Sequence, residues 1–342
     1  MYMSDKSMTW DEIVDEYFFS HNLREATEIS YRKVVNAFSR FIGESVFPTQ
    51  ITHRDVLKWR RNLLKERNLS THTWNNKVAH MRAIFNFAIE RKLIEQDKNP
   101  FNDTVVQKEK KKKKTLTREQ LTAIYLLMQR IEAEEPHATW GQRCALYPAW
   151  YWLTVLDTLR YTGMRQNQLL HIRLQDINLD EGYIELRLEG SKTHREWRVP
   201  AVRQLRARLA SLLARAKLAG AEPSDILFDV TRFMKSRRHK DEYQYDEKRA
   251  QQTIRSFFNR LSRDCGFLVS AHRFRHTLAT ELMKTPERNL LLVKDLLGHR
   301  NVSTTMEYVE LNMEIVGRTL EKELALHTDI YVQPELHDLT VM

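Results

Sequence analysis

The sequence predicts a mainly α-helical protein of the α+β class, with two domains and one small β section. The chain has 342 residues, which is long for a single hydrophobic core, and 42% of them are hydrophobic. Only 9 glycines and 8 prolines interrupt a sequence rich in leucine, alanine, arginine and glutamate, which favours helices. Apolar residues recur at helical spacing through most of the chain and alternate in the strand manner in one stretch of its second half.

The first domain is predicted at residues 1–101, with about four helices between residues 8 and 95. Thr9 followed three residues later by Glu12 is a capping box that begins the first helix. The fourth helix has an apolar face, and its other positions carry amide, histidine and basic side chains suited to DNA contact. Glu90 is its one acid, whereas an ordinary solvated face, the alternative, usually mixes acids with bases. The candidate DNA-contacting residues are Asn75, Asn76, Lys77, His80 and Arg82.

A lysine-rich segment at residues 102–114 is predicted to link the two domains. Five consecutive lysines repel one another and cannot pack in a core, so the segment is a spacer. It is either simply solvated or lies along a phosphate backbone, and we favour the second interpretation. The five residues are Lys110, Lys111, Lys112, Lys113 and Lys114.

The second domain is predicted at residues 115–311. A capped helix and an almost wholly apolar, buried helix ending at Gly163 come first. Apolar and polar residues then alternate in three short segments, which predicts strands, and helices resume near Ala201. Residues 231–248 are expected to form a charged surface loop or arm, and residues 312–342 a helix followed by an extended tail.

Composition limits the classes of partner and location. The net charge of +10 favours a polyanion, with nucleic acid first, although a basic balance alone is weak evidence. The two cysteines, Cys144 and Cys265, suggest neither a disulfide framework nor a zinc site. The N-terminal residues are acidic where a signal peptide is basic and then apolar, and no run approaches the roughly 20 apolar residues of a membrane span. We therefore expect a soluble cytoplasmic protein.

Four places in the second domain carry residues that apolar packing does not explain. Together they contain arginine, lysine, histidine and tyrosine but no carboxylate, which disfavours most hydrolases that use Mg²⁺ or Zn²⁺. Two guanidiniums can stabilise a pentacoordinate phosphate, a lysine or histidine can protonate a leaving alkoxide, and a tyrosine can attack phosphorus. The residues are Arg165 after a glycine turn, Lys192 between two strands, His272, Arg275 and His276 on one helix, and His299 and Tyr308 further on.

Each of these residues also has a simpler interpretation. Arg165 and Lys192 could be ordinary solvated charges, and Arg195 competes with Lys192 for a catalytic role. His272 and His276 have the four-residue spacing of helical metal ligands, although no catalytic glutamate accompanies them. Tyr308 is one of 12 tyrosines, but it follows a Gly-His element at a spacing of nine residues from the histidine.

The four segments, in order and spacing, resemble the sequence boxes of tyrosine recombinases of the phage integrase family. TGMRQNQLLHIRLQDI resembles the first arginine box, and SKTHREWRVP resembles the lysine β-hairpin. AHRFRHTLAT resembles the His-x-x-Arg-His box, and LLGHRNVSTTMEYVEL resembles the final box with the nucleophilic tyrosine. The N-terminal four-helix region resembles the SAM-like core-binding domain of that family.

The resemblance implies the activity and the role of each residue. The protein would be a site-specific recombinase that cleaves and rejoins DNA through a 3′-phosphotyrosyl intermediate, without a metal or another cofactor. Gln168 stands where the family usually has an acid. The implied roles are phosphate binding for Arg165, Arg275 and His299, general acid for Lys192, acid/base partner for His272, nucleophile for Tyr308 and support for Gln168 and His276.

The resemblance also implies an assembly. The two domains would form a C-shaped clamp around double-stranded DNA, and a homotetramer would act on synapsed sites, with the tail exchanged between protomers. Accessory DNA-bending proteins are a further expected class of partner, and a bacterial cytoplasm with association to the nucleoid is the expected location. Two alternatives stay open: a type IB topoisomerase-like strand transferase, and a DNA-binding regulator with a degenerate site.

Overall fold

The computed structural model describes residues 8–107, 114–137, 144–189, 196–234, 244–284, 290–299 and 301–306. Within these ranges the chain is mainly helical with a three-stranded antiparallel sheet, so the predicted fold class is confirmed. The chain divides into two compact units, residues 1–112 and 113–342. No helix in the described ranges is long and apolar enough to cross a membrane.

Three of the four α-helices described in the first unit begin at side-chain caps. The Thr9 hydroxyl accepts from the Glu12 N–H at 3.3 Å, and the Glu12 carboxylate accepts from the Thr9 N–H at 2.8 Å. Thr52 and Asp55 form a second box of this kind, and Ser70 caps the fourth helix. The helices are α1 (Trp10–Ser20), α2 (Glu25–Ile42), α3 (His53–Arg61), which a π-helical turn (Asn62–Glu66) extends, and α4 (Thr71–Glu90).

An aromatic cluster forms the core of the first unit. The ring of Phe38 on α2 lies 4.8 Å from Trp59 on α3 and 5.6 Å from Trp10 on α1, measured between ring centroids. Trp74 on α4 donates from its indole nitrogen to the carbonyl of Thr104 at 2.8 Å. That hydrogen bond holds the segment after residue 100 against α4, so the chain leaves this unit along the fourth helix.

Asn75 belongs to this packing and not to an exposed face. Its side chain is 8% exposed; its Nδ2 donates to the carbonyl of Val106 at 2.7 Å, and its Oδ1 accepts from the Val106 N–H at 3.0 Å. A buried amide that is paired in this way stabilises the fold and has little left to offer DNA. This corrects the assignment of Asn75 to the DNA-contacting set.

The second unit is built around α6, which is buried along most of its length and packs against α5, α8 and α10. As the sequence predicts, α6 ends at Gly163, whose φ of 62° is left-handed. Trp152 on α6 stacks on Phe257 on α9 at 4.0 Å between centroids. The helices are α5 (Arg118–Glu134), α6 (Ala149–Thr162), α7 (Gln166–Leu169), α8 (Arg203–Leu218), α9 (Glu247–Cys265), α10 (Ala271–Lys284), α11 (Leu290–Leu297) and α12 (Val302–Met306).

The three strands form one antiparallel sheet in the order β1-β2-β3. In the central strand, Ile184 pairs with Ile177 on one side and Val199 on the other, and Ile184 and Val199 are buried against the core. The sheet therefore has one apolar face that joins the core of this unit, as the alternation of its residues predicts. The strands are β1 (Ile177–Asn178), β2 (Tyr183–Leu186) and β3 (Trp197–Pro200).

Replacing Asn75 tests whether its amide serves the fold. Asn75→Ala should weaken the packing of the segment around Val106 against α4 by about 1–3 kcal/mol. The reason is that the N–H and the carbonyl of Val106 both lose the side-chain amide that pairs with them. Hydrogen exchange at the Val106 amide measures this directly. Asn76→Ala, at an exposed position of the same helix, should change that exchange by no more than about 0.5 kcal/mol. Equal protection of Val106 in both variants would contradict the assignment.

Candidate active site

The guanidinium of Arg275, on α10, lies in the interior of the second unit with 3% of the residue exposed. Its Nη1 donates to the carbonyl of Gly163 at 2.8 Å. Its Nη2 donates to the carbonyl of Leu297 at 2.7 Å and to Nε2 of His299 at 2.9 Å. One side chain thus joins three of the four places that the sequence singles out: the segment after α6, helix α10 and the segment after α11.

Arg165 lies two residues after Gly163, the glycine whose carbonyl accepts from Arg275. It is half-buried and immediately precedes α7. Its backbone N–H donates to Oε1 of Gln168 at 2.8 Å, and Gln168 is 2% exposed. The residue that replaces the usual acid therefore caps α7 through a neutral amide and fixes the backbone at Arg165.

His299 is enclosed between Arg275 and the last described helix. It is 4% exposed, and its Nδ1 lies 2.8 Å from Oγ1 of Thr305 on α12, a residue with no exposed surface. Nε2 of the ring accepts from Arg275, and Nδ1 lies against the hydroxyl of Thr305. Both nitrogens of the imidazole are therefore hydrogen-bonded within the protein. Sequence reasoning missed Thr305, although its place in the stretch between His299 and Tyr308 was a signal.

A tryptophan on the sheet supports the same loop from another side. The indole nitrogen of Trp197, the first residue of β3, donates to the carbonyl of Leu296 at 3.2 Å. Gly298 has a left-handed φ of 63°, and a Cβ built there would lie 2.5 Å from the Trp197 ring. The strand that follows the predicted lysine turn is therefore packed against the residue before His299. Sequence reasoning treated Trp197 only as a strand residue.

The two histidines of α10 differ in exposure. His272 is exposed, whereas His276 is 8% exposed, and their ring centroids are 4.0 Å apart in an edge-to-face contact. His276 is thus buried, and His272 reaches the surface one turn before Arg275. Within the described ranges, no three His, Cys, Asp or Glu side chains are grouped so that they could hold a metal ion.

Several predicted site residues lie outside the described residues. Lys192 and Arg195 fall in residues 190–195, and Tyr308 falls in residues 307–342, together with the predicted C-terminal helix and tail. Half of the predicted arm is likewise outside, at residues 235–243. In the lysine run, Lys114 is described and exposed, and Lys110 to Lys113 are not described.

The exposed side of α4 carries the other predicted DNA-contacting residues. Asn76 and Arg82 are exposed, while Lys77 and His80 are half-buried. Nδ1 of His80 bonds to the carbonyl of Asn76 at 2.6 Å, and its Nε2 lies 3.3 Å from Oγ of Ser30, so His80 also links α4 to α2. The imidazole is therefore partly committed to the fold.

Lys77 borders a surface cavity of about 320 Å³ together with two arginines that sequence reasoning missed, Arg40 on α2 and Arg67 after the π-helical turn. Burial and the nearby charge of Arg67 lower the pKa of the Lys77 ammonium. The ammonium also lies 5.9 Å from the ring centroid of Trp59. Cations from separate helices meet here, which periodicity within a single helix does not predict.

Residues 114–314 match the sequence profile of the Phage integrase family, and this match covers more than half of the chain. The chain belongs to the phage integrase family. Residues 11–95 of this integrase-family chain match a second profile, described as Phage integrase, N-terminal SAM-like domain. The resemblance recognised from the four sequence boxes is thereby confirmed.

Curated relatives extend the match over most of the chain. A Pseudomonas aeruginosa protein, provisionally named tyrosine recombinase XerC, is 38% identical over 309 residues, covering 90% of this chain and 70% of the relative. A Pseudomonas syringae protein with the same provisional name is 35% identical over 317 residues, covering 93% of this chain and 64% of the relative. The chain thus spans about two thirds of the length of these relatives.

Solved structures share the fold at low sequence identity. The integrase of transposon Tn1549 in complex with a circular intermediate DNA superposes with a TM-score of 0.67 at 19% identity, covering 92% of this chain and 100% of that chain. A lambda integrase tetramer bound to a Holliday junction gives a TM-score of 0.63 at 18% identity, covering 90% and 79%. The likeness confirms a fold of this family.

Substituting Gly298 tests the contact between β3 and the loop of His299. Gly298→Ala should destabilise the second unit by about 1–2 kcal/mol from the left-handed backbone and by about 1–3 kcal/mol more from the clash with Trp197. Gly220→Ala is the matched control, since Gly220 has a φ of 78° and no described atom within 4 Å of the added Cβ. Urea denaturation of both variants measures the difference. Equal losses would show that the ring of Trp197 does not constrain this loop.

Proposed function

We propose that this chain is a site-specific DNA recombinase that cleaves and rejoins strands through a 3′-phosphotyrosyl intermediate. The observation that carries the proposal is the meeting of the arginine and histidine segments around Arg275. Family membership and the names of the Pseudomonas relatives support the same activity. We further propose residues 1–101 and 115–311 as its functional domains, joined by residues 102–114.

Arg165 and Arg275 would bind the nonbridging oxygens of the scissile phosphate. Three hydrogen bonds to the protein hold the Arg275 guanidinium in place, and these use three of its five N–H groups. A cation fixed in this way needs little reorganisation when negative charge develops on a pentacoordinate phosphorus. The cap formed by Gln168 would orient Arg165 through its backbone, without the charge of a carboxylate.

The covalent step would use three further side chains. The hydroxyl oxygen of Tyr308 attacks phosphorus, forming the tyrosyl–phosphate bond and breaking the bond to the 5′ oxygen. Lys192 gives its proton to that oxygen, and His272 accepts the proton from the tyrosine. The exposed position of His272, one turn from Arg275, supports this role. The phosphotyrosyl bond conserves the bond energy for rejoining, so ATP is not needed.

DNA contact would extend over both units. In the first unit we propose Asn76, Lys77, His80 and Arg82, and the exposed or half-buried positions of these side chains support this proposal. Arg40 and Arg67 join Lys77 as a phosphate-binding group because they share its cavity. The lysines of residues 110–114 are proposed to meet phosphates between the two domains.

Recombination also requires an assembly. We propose a homotetramer on two synapsed DNA sites, with the tail at residues 312–342 exchanged between protomers. The lambda integrase tetramer on a Holliday junction, which this chain resembles in fold, supports the stoichiometry. We propose that it is a soluble bacterial protein that associates with the nucleoid when it binds DNA, and its Pseudomonas relatives support a bacterial location.

The covalent adduct tests the proposed function. With a nicked DNA substrate in EDTA and without ATP, the wild-type protein should form an SDS-resistant adduct, because arginines supply the positive charge and tyrosine supplies the nucleophile. Tyr308→Phe should form none, yet bind DNA within about twofold of wild type, since only an interaction of the reacting state is lost.

Tyr183→Phe is the matched control for this experiment. Tyr183 lies on β2, and its ring packs against Arg198 at 4.2 Å, a contact that phenylalanine retains. This variant should form the adduct at the wild-type rate. An adduct with Tyr308→Phe would refute the assignment of the nucleophile, and an absolute need for Mg²⁺ in cleavage would refute the metal-free mechanism.

A further inference from the structure

We propose that Thr305 is a positioning residue of this site: its hydroxyl accepts the Nδ1 proton of His299 and so holds the Nε2 lone pair on Arg275. The catalytic consequence of this inference rests on the proposed function. The arrangement of the proton does not, because the hydrogen bonds of the protein alone determine it.

The tautomer of His299 follows from the chemistry of its neighbours. A guanidinium has five N–H donors and no acceptor, so Nη2 of Arg275, at 2.9 Å, can only donate to Nε2 of His299. Nε2 therefore carries a lone pair, and a neutral ring with a lone pair on Nε2 carries its proton on Nδ1. That proton points to Oγ1 of Thr305, 2.8 Å away.

Burial makes the acceptor at Thr305 important. Arg275, His299 and Thr305 are 3%, 4% and 0% exposed, so water has little access to replace a lost hydrogen-bond partner. Without the hydroxyl, the Nδ1–H would lose this hydrogen-bond partner. The ring would then be driven to rotate, to move its proton to Nε2 or to leave the pocket, and each change removes the acceptor from Arg275.

The hydrogen bond between Thr305 and His299 also joins α12 to the loop that contacts Arg275. Thr305 lies on α12, three residues before Tyr308 in the sequence, and His299 contacts the arginine proposed to bind the phosphate. The chain Thr305–His299–Arg275 thus links the helix before the nucleophile to the phosphate site. In this arrangement of the protein without DNA, His299 accepts a hydrogen bond from Arg275 and orients it.

The test compares three variants of the full chain. Thr305→Val has nearly the same shape without the hydroxyl, and Thr305→Ser keeps the hydroxyl and loses a methyl group. Thr304→Val removes a hydroxyl from the neighbouring, exposed position of the same short helix. Nitrogen NMR of ¹⁵N-histidine-labelled protein without DNA reports the tautomer, with the His299 signals identified by their loss in His299→Gln. Adduct formation on a nicked DNA substrate reports the reaction.

We expect wild type, Thr305→Ser and Thr304→Val to show a neutral His299 with its proton on Nδ1. Thr305→Val should show a different or mixed state and should slow adduct formation by about 10- to 100-fold, by analogy with the loss on removing the partner that orients a metal-bound histidine. Thr305→Ser should recover the rate to within about threefold, and Thr304→Val should leave it unchanged.

Three outcomes would overturn the inference: an unchanged His299 signal in Thr305→Val, an unchanged rate in that variant, or a loss in Thr305→Ser as large as in Thr305→Val. The last result would indicate packing and not the hydroxyl. If the wild-type protein forms no adduct at all, the proposed function fails, but the NMR comparison still decides whether Thr305 positions His299.

Discussion

The arrangement of the site depends on the burial of one charge, the guanidinium of Arg275. A buried cation is costly unless its donors are paired, and here two backbone carbonyls and one imidazole pair them. Those acceptors come from the ends of α6 and α11, which are far apart in the sequence. The hydrogen bonds that pair the donors of Arg275 therefore bring the segment of Gly163 and the segment of His299 together, before any DNA is bound.

Other features of the second unit are consistent with this constraint. The left-handed Gly163 ends α6 so that its carbonyl reaches Arg275, and a Cβ at Gly163 would lie 2.8 Å from Leu278 on α10. Gly298 gives the same close approach to Trp197 on the sheet. The small sheet thus supports the loop of His299 as well as carrying the turn predicted to hold Lys192. These two glycines both lie where elements approach the site around Arg275.

Local signals in the sequence predicted local structure well. The capping box of Thr9 and the glycine end of α6 involve neighbouring residues, so the chain itself contains the information. Asn75 was misassigned because its partner, Val106, lies 31 residues away and periodicity cannot detect it. The contact of Trp197 with Leu296 spans 99 residues, and Gln168 looked like a lost charge until its cap on Arg165 was visible. The boxes pointed to the segments that Arg275 joins, but not to the hydrogen bonds that join them.

The most direct test of this account is hydrogen exchange in Arg275→Lys. One ammonium cannot reach carbonyls on two segments and an imidazole at once, so the account predicts faster exchange at the amides of both Gly163 and His299, which bond to Leu159 and Lys294. Arg273→Lys, on the same helix, should leave both amides protected. Wild-type protection of the two amides in Arg275→Lys would contradict the claim that this guanidinium holds the site together.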